Sequence, residues 1–229
     1  MDAVKGFLAT VRYPLYHLDF ETYSEAVPPF AGLKPYQQIP FQYSLHIQDA
    51  PGREPSHKEF LAPEGSDPRR AIAERLCQEI PADVCVLAYN RSFEQTRLRE
   101  LAEQFEDLAE HLLAIRDNII DLMTPFQQHA FYDWRQQGSV SIKYVLPAMF
   151  PDDPELDYHS LEGVQNGGQA SETFATLHLQ PDEARAKARA DLLRYCGLDT
   201  FAMVRILDRL HELSAEPDDP AFEILPSAG

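Results

Sequence analysis

A chain of 229 residues suits one domain of generous size and can bury a real core. Its composition, 44% apolar and 25% charged, is ordinary for a globular protein; no apolar run approaches the ~20 residues of a membrane span, and Met1-Asp2-Ala3-Val4-Lys5-Gly6 is no secretory signal. The net charge of -17, from 37 acidic against 20 basic residues, argues against a protein that grips long duplexes with a basic face. Cys77, Cys85 and Cys196 form no CxxC pair and leave one thiol over, so reduced thiols in a cytoplasmic protein are the simplest account.

Residues 14–22 alternate as a strand. Leu15, His17, Asp19 and Glu21 point one way, and Tyr16, Leu18, Phe20 and Thr22 the other. The sequence begins barely a turn before this strand, as a fragment of a longer protein would. A Pro-rich loop over 27–35 leads to a second strand, Phe41 to Ile47, and His57 to Leu61 makes a third after the turn at Pro51-Gly52. Asp67-Pro68 opens a helix through Ile80, with Asp67 as cap and Pro68 at the first helical position. Val84 to Ala88 is an apolar run suited to a strand buried on both faces. Ser92 to Leu108 is an amphipathic helix, Asn118 to Met123 a short strand, and Thr124-Pro125 the start of a further helix. Residues 138–180 read as irregular, and a long helix follows from Pro181 to Leu213. The predicted class is α/β: a mixed sheet with helices on both faces, in an order that matches the ribonuclease H-like fold. One domain spans 1–215, and 216–229 is an acidic, Pro-containing tail.

Four acids in three segments carry the chemistry. Asp19 and Glu21 are two apart in a strand, so both project from one face, and two like charges there need something to offset them. Glu94 follows the buried strand in Asn90-Arg91-Ser92-Phe93-Glu94. Asp199 interrupts the apolar stripe Leu192, Cys196, Met203, Ile206 and Leu210 of the last helix, with Tyr195 one turn before it. A carboxylate among apolar residues costs several kcal/mol unless paired or metal-bound. Arg194 and Arg205 face elsewhere on that helix. Hard cations such as Mg²⁺ take oxygen ligands, and two such ions are a known device for phosphodiester hydrolysis.

These segments resemble the DEDD-type 3′–5′ exonucleases, a superfamily with three short acidic motifs on a ribonuclease H-like fold. Asp19-Phe20-Glu21 matches the first motif, D-x-E. Asn90-Arg91-Ser92-Phe93-Glu94 matches the second, N-x-x-F-D, except that Glu94 stands where Asp is usual. Tyr195-Cys196-Gly197-Leu198-Asp199 matches the third in its tyrosine form, Y-x-x-x-D. The flanking Pro40-Phe41-Gln42 and Ser141 to Pro147 are similar to a bacterial branch known mainly as a domain of unknown function. The resemblance implies a two-metal mechanism with two Mg²⁺ or Mn²⁺ ions on Asp19, Glu21, Glu94 and Asp199. Tyr195 would orient the attacking water, and Asn90, Phe93, Lys143 and Thr22 would contact substrate. The implied substrate is single-stranded DNA or RNA, or short oligonucleotides, released as nucleoside 5′-monophosphates; other domains of a longer protein would supply affinity. The other reading is a nuclease-like module that binds nucleic acid or a protein partner and cleaves weakly or not at all, as Glu94 and the acidity favour.

Among the remaining polar residues, Asp121 is expected outside the metal quartet as a supporting or structural acid. Lys34, Arg91, Tyr23 and Tyr36 are candidates for holding a strand, since aromatic faces stack bases with little sequence preference. His17 shares the acidic face of the first strand and is expected to be a hydrogen-bonded histidine.

Overall fold

Alternation in the first strand sets the architecture, because a strand with apolar residues on both faces has to be covered on both. The computed structural model describes residues 2–215, so the expected tail at 216–229 lies outside the described residues. The elements are α1 (Asp2–Leu8), β1 (Leu15–Tyr23), β2 (Ile39–Gln48), β3 (Ser56–Leu61), α2 (Arg69–Glu79), β4 (Cys85–Ala88), α3 (Ser92–Gln104), α4 (Ala109–Asp117), β5 (Ile119–Asp121), α5 (Thr124–Gln127), α6 (Ile142–Met149), α7 (Gly167–Thr176) and α8 (Asp182–Ala215). The sheet order is β3-β2-β1-β4-β5. β1 pairs antiparallel with β2, and β2 with β3; β4 runs parallel to both β1 and β5. This is the mixed sheet of a ribonuclease H-like α/β fold.

One face of the sheet is apolar. Tyr16, Leu18 and Phe20 of β1 join Tyr43 and Leu45 of β2 and pack against Ile72 and Leu76 of α2, Leu98 of α3, and Leu112 and Ile115 of α4. On the other face Leu15 and Leu87 pack beneath α6, α7 and α8, with Val145, Phe174, Leu192, Met203 and Ile206. β4 serves both cores, through Cys85 and Leu87 on one side and Val86 and Ala88 on the other. The pairing of β1 with β2 shifts between Glu21 and Thr22, where Glu21 opposes Gln42 and Thr22 opposes Pro40. Phe41 is the extra residue of this bulge. It stacks on Phe174 of α7 with ring centroids 4.0 Å apart, on the face opposite Tyr43 and Leu45.

Several local expectations change. A helix, α1, precedes β1 where the sequence reading saw barely a turn. Pro68 occupies the cap of α2 rather than its first position, and the Asp67 carboxylate accepts from the Arg69 N–H at 3.1 Å. The helix expected to reach Leu108 stops at Gln104, and a separate α4 follows. The stretch read as irregular contains α6 and α7. α6 tolerates Pro147 in its interior, which removes the N–H that Lys143's carbonyl would otherwise receive. α7 starts at Gly167-Gly168 because the Asn166 side chain caps it, accepting from the Gln169 N–H at 3.0 Å.

Candidate functional site

Four parts of the chain meet at one cavity of about 210 Å³. β1 supplies Asp19 and Glu21, the turn into α3 supplies Asn90, Phe93 and Glu94, α6 supplies Ile142 and Lys143, and α8 supplies Tyr195, Asp199 and Met203. Strand alternation puts Asp19 and Glu21 on the α8 side of the sheet. Helical spacing puts Tyr195 and Asp199 one turn apart on the face that meets them. Glu94 is delivered by a turn fastened from β5. Asn90 takes a left-handed φ of 67°, and the Asp121 carboxylate accepts from the backbone N–H groups of Asn90 (3.0 Å), Arg91 (3.2 Å) and Met123 (2.9 Å). Asp121 is therefore the supporting acid expected of it.

The four acids are not equally close. Oxygens of Asp19 and Glu21, with the Cys196 sulfur, lie within 4.8 Å of one another, whereas Glu94 and Asp199 line the same cavity outside that tight group. Glu21, Glu94 and Asp199 are buried and Asp19 partly so. Asp199 is not neutralised by an arginine: Arg194 pairs with Asp191 and Arg205 with Asp153. Its Oδ1 instead accepts from the Tyr158 hydroxyl at 2.6 Å. Among the described residues, Lys143 is the one cation lining the cavity. Its ammonium donates to the Gln165 carbonyl (3.1 Å) and the Tyr195 hydroxyl (3.3 Å).

Protonation follows from this crowding. Burial, then the Asp199 and Glu21 charges, hold the Asp19 carboxyl well above its ordinary range. Burial and the Asp199 charge push Glu21 up to about 8, against the pull of Lys143. Burial, with Asp121 behind it, lifts Glu94 to about 8. Asp199 rises only to about 6, because burial is opposed by the Tyr158 hydrogen bond and by Lys143. The acids supply hard oxygen donors beside a Cys196 thiol that burial and the neighbouring carboxylates keep protonated, and Glu94 Oε2 is buried without a hydrogen-bond partner. Both features fit divalent cations of the Mg²⁺ or Mn²⁺ type.

Other expected contacts fall away from this cavity. Thr22 does not line it; past the bulge after Glu21, its hydroxyl donates to Gln38 at 2.6 Å. Tyr23 is buried against Phe41 and Phe174. Lys34 and Tyr36 line a separate cavity of about 570 Å³ with Arg69 and Arg99, and Arg91 lines a third beside α1. His17 is fully buried with neither ring nitrogen hydrogen-bonded, contrary to expectation. The sequence reading missed Tyr158, which sits in a stretch with no periodicity to flag it. Cys196, a residue of the apolar stripe, also lies within a turn of Asp199, and its spacing of three on a helix signals the same face.

Residues 16–141 match the family described as "Domain of unknown function (DUF2779)". The chain belongs to this family. Within the DUF2779 match fall Asp19, Glu21 and Glu94, whereas Tyr195 and Asp199 lie beyond it. The chain is also similar to "Uncharacterized protein MG366 homolog" of Mycoplasma pneumoniae, 30% identical over 211 residues, covering 83% of this chain and 31% of the relative. "Uncharacterized protein MG366" of Mycoplasma genitalium is 26% identical over 221 residues, covering 88% of this chain and 32% of its own length. The chain thus spans about a third of the length of these curated relatives. No solved structure matches.

Proposed function

We propose that this chain is a divalent-metal-dependent 3′–5′ exonuclease that trims single-stranded nucleic acid or short oligonucleotides to nucleoside 5′-monophosphates. The observation that carries the reading is the convergence of Asp19, Glu21, Glu94 and Asp199 with Tyr195 and Lys143 on one small cavity, where Glu94 Oε2 has no partner. Asp19, Glu21 and Asp199 would hold one ion, and Asp19 with Glu94 a second. When bound, such ions offset the carboxylate repulsion, make water more acidic and stabilise charge on phosphate oxygens. The residues contribute the rest. Tyr195, which lines the cavity, would orient the attacking water. The Lys143 ammonium, the one cation lining the cavity among the described residues, would offer a donor to a non-bridging phosphate oxygen. Asn90 and Phe93 line the same cavity and would contact substrate; the Asn90 amide oxygen already accepts from the Ser92 hydroxyl at 3.1 Å.

A second reading, a nuclease-like binding module, is favoured by Glu94 standing outside the tight group of Asp19 and Glu21. One experiment separates the two. Labelled single-stranded DNA and RNA are incubated with the protein and Mn²⁺, Mg²⁺ or EDTA. The exonuclease reading expects stepwise shortening from the 3′ end that stops in EDTA. Retention of the strand without shortening, in either metal, would leave the binding module standing and remove the enzyme.

A further inference from the structure

We propose that Tyr158 is a positioning residue for the carboxylate site: it holds Asp199 by one oxygen so that the other is presented to a divalent ion. The inference rests on the metal-dependent reading above, and goes beyond it by assigning a role to a segment outside all three acidic motifs. Tyr158 lies between α6 and α7, in a short helical turn, and is buried. Its hydroxyl donates to Asp199 Oδ1 at 2.6 Å, the length of a charge-assisted O–H···O⁻ bond. It does not line the cavity, so it touches neither substrate nor ion and acts through Asp199.

A carboxylate turns easily about its terminal bond, since that torsion has broad wells. On α8 alone, either oxygen of Asp199 could face the cavity, or both together. The Tyr158 hydroxyl removes that freedom by engaging Oδ1, which leaves Oδ2 as the oxygen free to meet an ion. The tyrosine is itself held. The Lys143 ammonium sits 5.3 Å from the centre of the Tyr158 ring and 5.1 Å from that of Tyr195, and donates to the Gln165 carbonyl farther along the same segment. At Gly163 the segment runs against α8 so closely that a Cβ would lie 2.4 Å from Asp191 Oδ2, and the local φ is +78°. One lysine, two tyrosines and one tight crossing thus set a single carboxylate oxygen. Outer hydrogen bonds of this kind typically change metal affinity by about 10- to 100-fold when removed.

The test measures Mn²⁺ binding to the whole chain by calorimetry and by the electron paramagnetic resonance of free Mn²⁺, without substrate. Tyr158→Phe should weaken Mn²⁺ binding by about 10- to 100-fold while circular dichroism stays that of the wild type. In an Asp199→Ala background the same change should have no further effect, since no carboxylate is left to position. An unchanged dissociation constant, or an equal loss in both backgrounds, overturns the proposal and makes Tyr158 a core residue. If Tyr158→Phe does not fold, 4-aminophenylalanine at 158 keeps the shape with a weaker donor; it must then bind Mn²⁺ more weakly than wild type, and equal binding overturns the proposal. Absence of Mn²⁺ binding to the wild type is a different result, which removes the metal-dependent reading itself.

Discussion

The two faces of the sheet have opposite characters, although the same strands build both. Toward α2, α3 and α4 the strands send Tyr16, Leu18, Phe20, Tyr43 and Leu45 into an apolar layer. Toward α8 they send His17, Asp19, Glu21, Gln42, Ser44, His46 and Gln48, most of them fully buried. α8 answers with polar partners. Thr200 bonds to Ser44 (2.6 Å) and His46 (2.7 Å), the Leu192 carbonyl accepts from Gln42 (2.9 Å), and Asp208 from Gln48 (3.0 Å). The first face can be stabilised by burial alone; the second needs each polar group matched, and falls short at His17, Gln42 and Gln48, each of which keeps a buried polar atom without a partner. Stability and chemistry are thus separated by a single residue step along β1.

Substitutions at neighbouring positions can break that separation. Asp19→Asn should lower cleavage by more than the ~100-fold ceiling of outer hydrogen-bond losses, while the metal-free protein melts no lower, because Asn keeps the size of a carboxyl that burial and its acidic neighbours already hold toward the neutral form. Leu18→Ala, one residue away and fully buried, should cost about 2–5 kcal/mol in stability yet leave Mn²⁺ affinity unaltered in whatever fraction stays folded. If the two variants behaved alike in denaturant melts and cleavage assays, the division of labour would not exist.

Tyr195→Phe sharpens the comparison within the polar face. Turnover should fall by about 10- to 1000-fold with metal affinity nearly constant, since the hydroxyl is assigned to water and not to an ion. Parallel losses in both would move Tyr195 into the metal shell. Glu94→Gln, which keeps size and removes charge, should weaken the second, looser Mn²⁺ by about 10- to 100-fold and spare the first. Titrations that show one class of site in both proteins would remove Glu94 from the ligand set.

A last effect is a pH dependence of the metal-free fold. Glu21 and Glu94 move from an ordinary 4.5 to about 8, so between those values the folded state binds more protons than the unfolded one. Their contribution is fully present below 4.5 and is lost as pH rises through about 8, the reverse of a salt-bridged carboxylate. Melting of chelated protein should therefore fall across this window relative to a Glu21→Gln, Glu94→Gln double variant. A melting temperature that rises over the same range in both proteins would contradict the assignment.

The sequence made the strands legible because β1 obeys strict alternation and β4 is continuously apolar; both patterns follow from the covering of two faces. Asp199 was legible for a related reason, as a charge on a stripe that otherwise buries. The breaks were harder. Nothing in the run Ser92 to Leu108 announces that the chain turns at Phe105 and restarts as α4. Pro147 concealed α6, since an interior proline reads as a helix breaker, and the pair Gly167-Gly168 concealed α7, whose start depends on the Asn166 side chain. Tyr158 could not be found at all. Its partner is 41 residues away, and only the crossing of the segment over α8 brings them together.

Among the described residues, Lys143 is the lone cation lining the cleft, in a chain whose net charge is -17. A polyanionic strand approaching it meets a repelling field that persists within a Debye length, about 8 Å at physiological ionic strength, and is screened beyond it. Added monovalent salt shortens that reach and thins the repulsion before it disturbs the buried carboxylates. Encounter with long strands should thus quicken with salt, opposite in sign to proteins that meet nucleic acid through a basic face, and dinucleotides, which carry little charge to repel, should be nearly indifferent to it. Under the proposed function, ionic strength becomes a ruler of substrate length for this cleft.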